Sequence, residues 1–172
     1  MRKFLLPLLF LLLFIVESLF VEFLPAKIFG FERIFVPHFL FIAILFLTIF
    51  VGRKHGIIYA AIFGLLFDIV YVEIIGIYFF LYPFISYLIY KLLQILQSNI
   101  ITAFLATLLG ISLLEIGVYE MNYLIHVTDL DFISFINLRF YPTLSLNAAV
   151  TLIAAYPLKW LFEKQLEAIR AE

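Results

Sequence analysis

The chain has 172 residues, 66% of them hydrophobic and 13% charged, with a net charge of −1 and a mean hydropathy of +1.19. A soluble globular domain is about half apolar and about a quarter charged, so this composition excludes one and describes a single integral membrane domain over residues 1–172 with the lipid bilayer as its surroundings. No cysteine is present, which excludes a disulfide framework or a thiolate metal site, and the near-neutral charge without a basic tract excludes nucleic acid as a partner.

A helix that crosses a bilayer needs ~20 mostly apolar residues. The first such run is 4–24, FLLPLLFLLLFIVESLFVEFL. Arg2 and Lys3 precede it as in a signal peptide, but the apolar stretch is too long and no A-x-A site follows, so it reads as a retained anchor. PAKIFGFER, 25–33, is a charged loop. The second span is 36–52, with Pro37 in its first turn. A tight charged turn, RKH at 53–55, separates it from the third span, 56–72. Glu73 and Gly76 mark the next turn, and the fourth span, 77–96, carries Tyr78, Tyr82, Tyr87 and Tyr90. The fifth is 100–125. A polar connection, 126–138, leads to the sixth, 139–162, and a charged tail follows. These runs exceed the ~10 residues of a barrel strand and do not alternate. The expected fold is all-α, a six-helix transmembrane bundle.

Lys and Arg set the orientation. With an inner N-terminus the inner side holds Arg2, Lys3, Arg53, Lys54, Lys91, Lys159, Lys164 and Arg170, and the outer side only Lys27, Arg33 and Arg139. Both termini are therefore expected in the cytoplasm, with Trp160 as an inner-interface anchor.

Three acids lie within these runs. At ~1.5 Å per residue, Asp68 is roughly 20 Å above Lys54, Glu17 roughly 21 Å above Lys3, and Glu115 roughly 24 Å above Asn99. All three fall in the outer third of a ~30 Å core and suggest a polar layer there. Gly56, Ala60, Gly64 and Asp68 are spaced by four, on one slowly drifting face, and small residues at that spacing let membrane helices approach closely. Asp68 thus faces protein. An acid in a membrane marks a functional ligand or a structural partner. With no His, Lys or Asn constellation beside it, the structural reading is preferred: a neutral, hydrogen-bonded anchor to hydroxyls or amides of the fourth to sixth spans. Asn would then replace Asp68 and Leu would not. Gly64 would accept Ala more readily than Leu.

On the fifth span Ala103, Ala106, Thr107, Gly110 and Gly117 form a small-residue stripe. Glu115 stands about 120° away, beside Ser112 and Tyr119, either in a polar contact or merely reaching the interface. Asn147 and Thr151, four apart, can bond a neighbouring helix. His38, His55 and His126 lie in separate connections without metal-ligand spacing, and read as exposed interface residues. No GxSxG, HExxH, Walker A or paired-carboxylate pattern occurs, so no catalytic, cofactor or metal residues are assigned and an enzyme is not expected.

Residues 37–90 resemble the MreD family of rod shape-determining membrane proteins. The resemblance rests on Pro37 and Phe39 opening the second span, the Gly52 and Gly56 pair around a basic turn, Gly64, Leu65 and Asp68, then Ile75 and Gly76, and Tyr82 and Tyr87. Val72, Glu73 and Ser86 depart from the family pattern, and Glu73 is expected to alter the outer turn. The resemblance implies a multi-pass protein of the bacterial cytoplasmic membrane. It implies binding to MreC, and work with MreB, RodA and a class B penicillin-binding protein in wall elongation. It also implies the six-helix fold of the substrate-binding subunits of energy-coupling-factor transporters. The alternative function is therefore that of a vitamin-binding transporter subunit.

Overall fold

In lipid every backbone polar group must be paired inside the protein, which drives long apolar runs into helices. The computed structural model describes residues 5–23, 27–28, 31–72, 74–96 and 98–170. Its helices are α1 (Leu5–Phe23), α2 (Phe39–Phe50), α3 (Arg53–Phe67), α4 (Ile77–Ile95), α5 (Ile100–Leu124), α6 (Phe132–Phe135) and α7 (Tyr141–Arg170). A π-helical turn, Asp68–Val72, extends α3, and a second, Ile136–Phe140, joins α6 to α7 in one unbroken helix. The strands β1 (Lys27–Ile28) and β2 (Phe31–Glu32) pair antiparallel as a minimal hairpin. Among the described residues five helices are long and apolar enough to cross a membrane, and α2 is shorter. The expected turn at Glu73 and the loop residues 24–26 and 29–30 lie outside the described residues.

The bundle wraps around α2. Residues Leu40 to Thr48 are all buried, as suits FLFIAILFLT, a helix apolar on every side. The outer helices keep one apolar stripe toward lipid, such as Leu8, Leu12, Ile15 and Leu19 of α1. The core includes stacked aromatics, with Phe41 of α2 on Tyr82 of α4 at 4.6 Å and Phe10 of α1 on Phe162 of α7 at 6.3 Å.

Four boundaries differ from the sequence reading, one of them the end of the last helix, which runs on from 162 through the charged tail to Arg170. The second span does not begin as a helix at residue 36. Residues 33–38 run as a non-helical leg, and α2 starts only at Phe39. Pro37 offers no N–H and biases Val36 away from helix. Arg53–His55 are not a turn but the first turn of α3; the chain reverses at Gly52, whose φ of +132° suits only glycine. The polar connection is shorter than expected, because 132–138 already belong to the last helix. Asn99 helps to set the start of α5. Its Oδ1 accepts from the amides of Ile101 and Thr102 at 2.9 Å, while the Thr102 hydroxyl accepts from the amide of Asn99 at 3.0 Å.

The small-residue face of α3 meets two neighbours. Residues four apart drift about 40° per step, enough to turn the stripe from α2 at one end to α4 at the other. Gly56 lies against Thr48 of α2, where an added Cβ would meet the Thr48 Cα at 2.7 Å. Ala60 is fully buried. At Gly64 an added Cβ would stand 2.5 Å from the backbone oxygen of Tyr78, at the start of α4. Gly110 of α5 faces the flexible tip of Leu45 at 2.7 Å.

Candidate functional site

One end of the bundle gathers the C-terminal ends of α1, α3 and α5 with the N-terminal ends of α2, α4 and the α6–α7 helix. A helix N-terminus presents amides without intrahelical partners, and here two of them are buried in the membrane. Each is capped by a carboxylate from the preceding span. Asp68, fully buried, accepts from the amide of Tyr78 through Oδ1 at 2.8 Å, and from those of Gly76 and Phe79 through Oδ2 at 2.8 and 2.9 Å. It thereby holds the chain at the start of α4, where Gly76 takes φ +129°. Glu17, 2% exposed, accepts from the amide of Leu40 through Oε2 at 2.9 Å and so caps α2.

Among the described residues the anchor role of Asp68 is filled by backbone amides at the start of the fourth span, so of the hydroxyls or amides expected from the fourth to sixth spans it is amides of the fourth that hold it. Three N–H donors converge on two oxygens, so the site calls for two acceptors. An Asn would turn an NH₂ toward at least one donor, and the expected equivalence of Asn and Asp does not follow. Ala at Gly64 is likewise not mild, because its neighbour is backbone and cannot rotate away.

The third acid has side-chain partners. Glu115, 1% exposed, receives His38 Nε2 at 2.7 Å on Oε1 and Arg139 Nε at 2.8 Å on Oε2, with Arg139 Nη2 at 3.4 Å. Of the two readings of Glu115, the polar contact is the observed one. The companions suggested for it do other work: the Ser112 hydroxyl donates to Leu108 O on its own helix, and that of Tyr119 to Leu130 O. His38 corrects the reading of exposed interface histidines. It is fully buried and forms the N-cap of α2, because the carboxylate of Glu115 offers its ring a partner. The sequence could have signalled this only as a histidine next to Pro37 at membrane depth. His126 is exposed. Glu17 and Glu115 bond Leu40 and His38, two residues apart at the start of α2, and Asp68 bonds Tyr78 at the start of α4. The three acids do share one layer.

The non-helical leg crosses this layer on rungs supplied by the α6–α7 helix. Ile34 donates to Leu138 O at 2.8 Å, and the Thr143 hydroxyl donates back to Ile34 O at 3.3 Å. Val36 donates to the Thr143 hydroxyl oxygen at 3.1 Å. Asn147 closes the ladder: its Oδ1 accepts from His38 N and its Nδ2 donates to Val36 O, each at 2.8 Å. Every second residue of the leg is bonded, the period of an extended chain. Two extended residues advance ~6.6 Å and four helical residues ~6 Å, so Thr143 and Asn147 match the leg step for step. Irregular backbone at membrane depth is stable only when protein satisfies it in this way. Thr151 instead donates to Asn147 O at 2.6 Å. Among the described residues no group of His, Cys, Asp and Glu could hold a metal ion.

The comparisons with known proteins agree with the resemblance. The family described as rod shape-determining protein MreD matches residues 2–165. The rod shape-determining protein MreD of Bacillus subtilis (strain 168) is 33% identical over 172 residues, covering 100% of both chains. The cell shape-determining protein MreD of Streptococcus pneumoniae (strain ATCC BAA-255 / R6) is 31% identical over 110 residues, 64% of this chain and 67% of that protein. No solved structure matches. The family match spans nearly the whole chain, including all three acids and both rungs of α7, and the chain belongs to the MreD family.

Proposed function

We propose that this protein is a non-catalytic membrane scaffold that binds MreC and helps to determine cell shape within the bacterial wall-elongation machinery, alongside MreB, RodA and a class B penicillin-binding protein. The observation that carries this reading is the full-length similarity to a rod shape-determining protein. The geometry supports it: Asp68, Glu115 and Asn147 have their hydrogen bonds taken up inside the protein, the pattern of a rigid body that presents surfaces. Both termini lie in the cytoplasm on the basic-residue asymmetry, which puts the acid layer in the outer half of the cytoplasmic membrane.

Two measurements test it. Tagged protein expressed with MreC should retain MreC through detergent extraction, and should restore rod shape to rod-forming cells depleted of their own family member. Reporter fusions after Lys54 and at the C-terminus should report cytoplasm, and a fusion near Asp129 the outside. Full membrane abundance without MreC retention or shape rescue would refute the scaffold reading.

A further inference from the structure

A cleft of about 380 Å³ opens between α1, the non-helical leg and the π-turn that follows α3. Val21, Val36, Pro37, Phe67 and Tyr71 form its apolar wall, and Glu17, Ser18 and Glu22 supply its polar groups. Three features of the fold build it. The π-turn carries Tyr71 onto the cleft, and such turns recur at functional sites. The leg replaces a helix along one wall. Glu17 holds the α2 cap with Oε2 only; its Oε1 is buried and has no hydrogen-bond partner among the described residues. Leaving a buried acceptor unmet costs free energy, and among the described residues the lining holds two acidic side chains and no basic one, a setting that suits an N–H donor of positive charge. Val21 and Tyr71 are 54% and 39% exposed, so the cleft opens on the outer surface of the bundle, the surface a membrane protein turns to the bilayer.

We propose that this cleft binds the primary ammonium head of an amphiphile, an aminolipid of the leaflet on this side. The ammonium donates to Oε1 of Glu17, and the adjoining methylenes lie on Val21, Val36 and Pro37. A quaternary ammonium lacks the N–H and is refused.

The test is thermal stabilisation of the full chain in detergent micelles, titrated with four probes. Phosphatidylethanolamine has the ammonium N–H. Phosphatidylcholine has the same body without it. Phosphatidylglycerol has no ammonium, and dodecylamine has the ammonium without phosphate. A ligand that binds only the folded state raises the melting temperature in proportion to its occupancy. Phosphatidylethanolamine and dodecylamine should give saturable rises, at least tenfold tighter than the other two probes. Glu17→Gln keeps an oxygen for the Leu40 amide and should weaken both by about tenfold. Val21→Trp fills the cleft while leaving the Glu17 carboxyl group in the chain and should do the same. Equal response to phosphatidylethanolamine and phosphatidylcholine would overturn the proposal. So would unchanged affinity in Val21→Trp, or a response to phosphatidylethanolamine without one to dodecylamine.

Discussion

Substituting Asp68 by Asn removes one negative oxygen and leaves the shape of the side chain intact. The better of its two orientations keeps the carbonyl where Oδ2 stands, bonded to Gly76 and Phe79, and turns the NH₂ onto the amide of Tyr78. That amide bond is buried, so one stranded donor costs about 1–3 kcal/mol. For a chain of this length the melting temperature should fall on the order of 5 °C. Asp68→Leu strands all three donors, two of them part-buried, and costs about 3–6 kcal/mol, enough to deplete the protein from the membrane. The assay is thermal unfolding in detergent followed by fluorescence-detected size exclusion, with membrane abundance measured in parallel. The expected order is Asp, then Asn, then Leu. If Asn matches Asp in stability and Leu lies within about 1 kcal/mol of both, the capping account is wrong. If Asn is fully stable yet loses shape rescue, Asp68 acts on a ligand or partner and not on α4.

Gly64→Ala should lower abundance nearly as much as Gly64→Leu, since the first added carbon already meets the Tyr78 backbone oxygen at 2.5 Å; quantitative membrane blots check it. By contrast Gly110→Ala should be tolerated in the same blots, because the Leu45 tip can move. Asn147→Leu strands the buried amide of His38 and the carbonyl of Val36, a loss of about 2–4 kcal/mol in thermal unfolding; a melting temperature within a degree of wild type would show that the leg is held by other means. Arg139→Gln should be more damaging than Glu115→Gln, because Glu115, 1% exposed, then keeps only His38 as a partner, whereas Arg139, 27% exposed, can turn to solvent. The double substitution should recover part of the loss, which a double-mutant cycle of melting temperatures measures.

Much of this protein is legible without coordinates. Long apolar runs must be helices in a bilayer because no other open element satisfies its own backbone, and that logic locates α1, α3, α4 and α5 to within a few residues, while the last helix extends beyond its expected span at both ends. A spacing of four between Gly56, Ala60 and Gly64 marks a close-packed face because helix periodicity is local. Depth along a helix is local as well, so the shared layer of Glu17, Asp68 and Glu115 could be inferred from counting. The partners in that layer could not. His38 and Glu115 stand 77 positions apart, and the leg and its rungs on α7 more than 100. No periodicity links such distant residues; only packing brings them together. The same reason hid the break in the second span. Hydropathy sees one apolar run from Val36 to Gly52, and cannot tell a helix from an extended leg whose hydrogen bonds another helix supplies. Tertiary structure decided that Thr143 and Asn147 supply them, that Asp68 caps α4 through its backbone, and that His38 lies inside the protein.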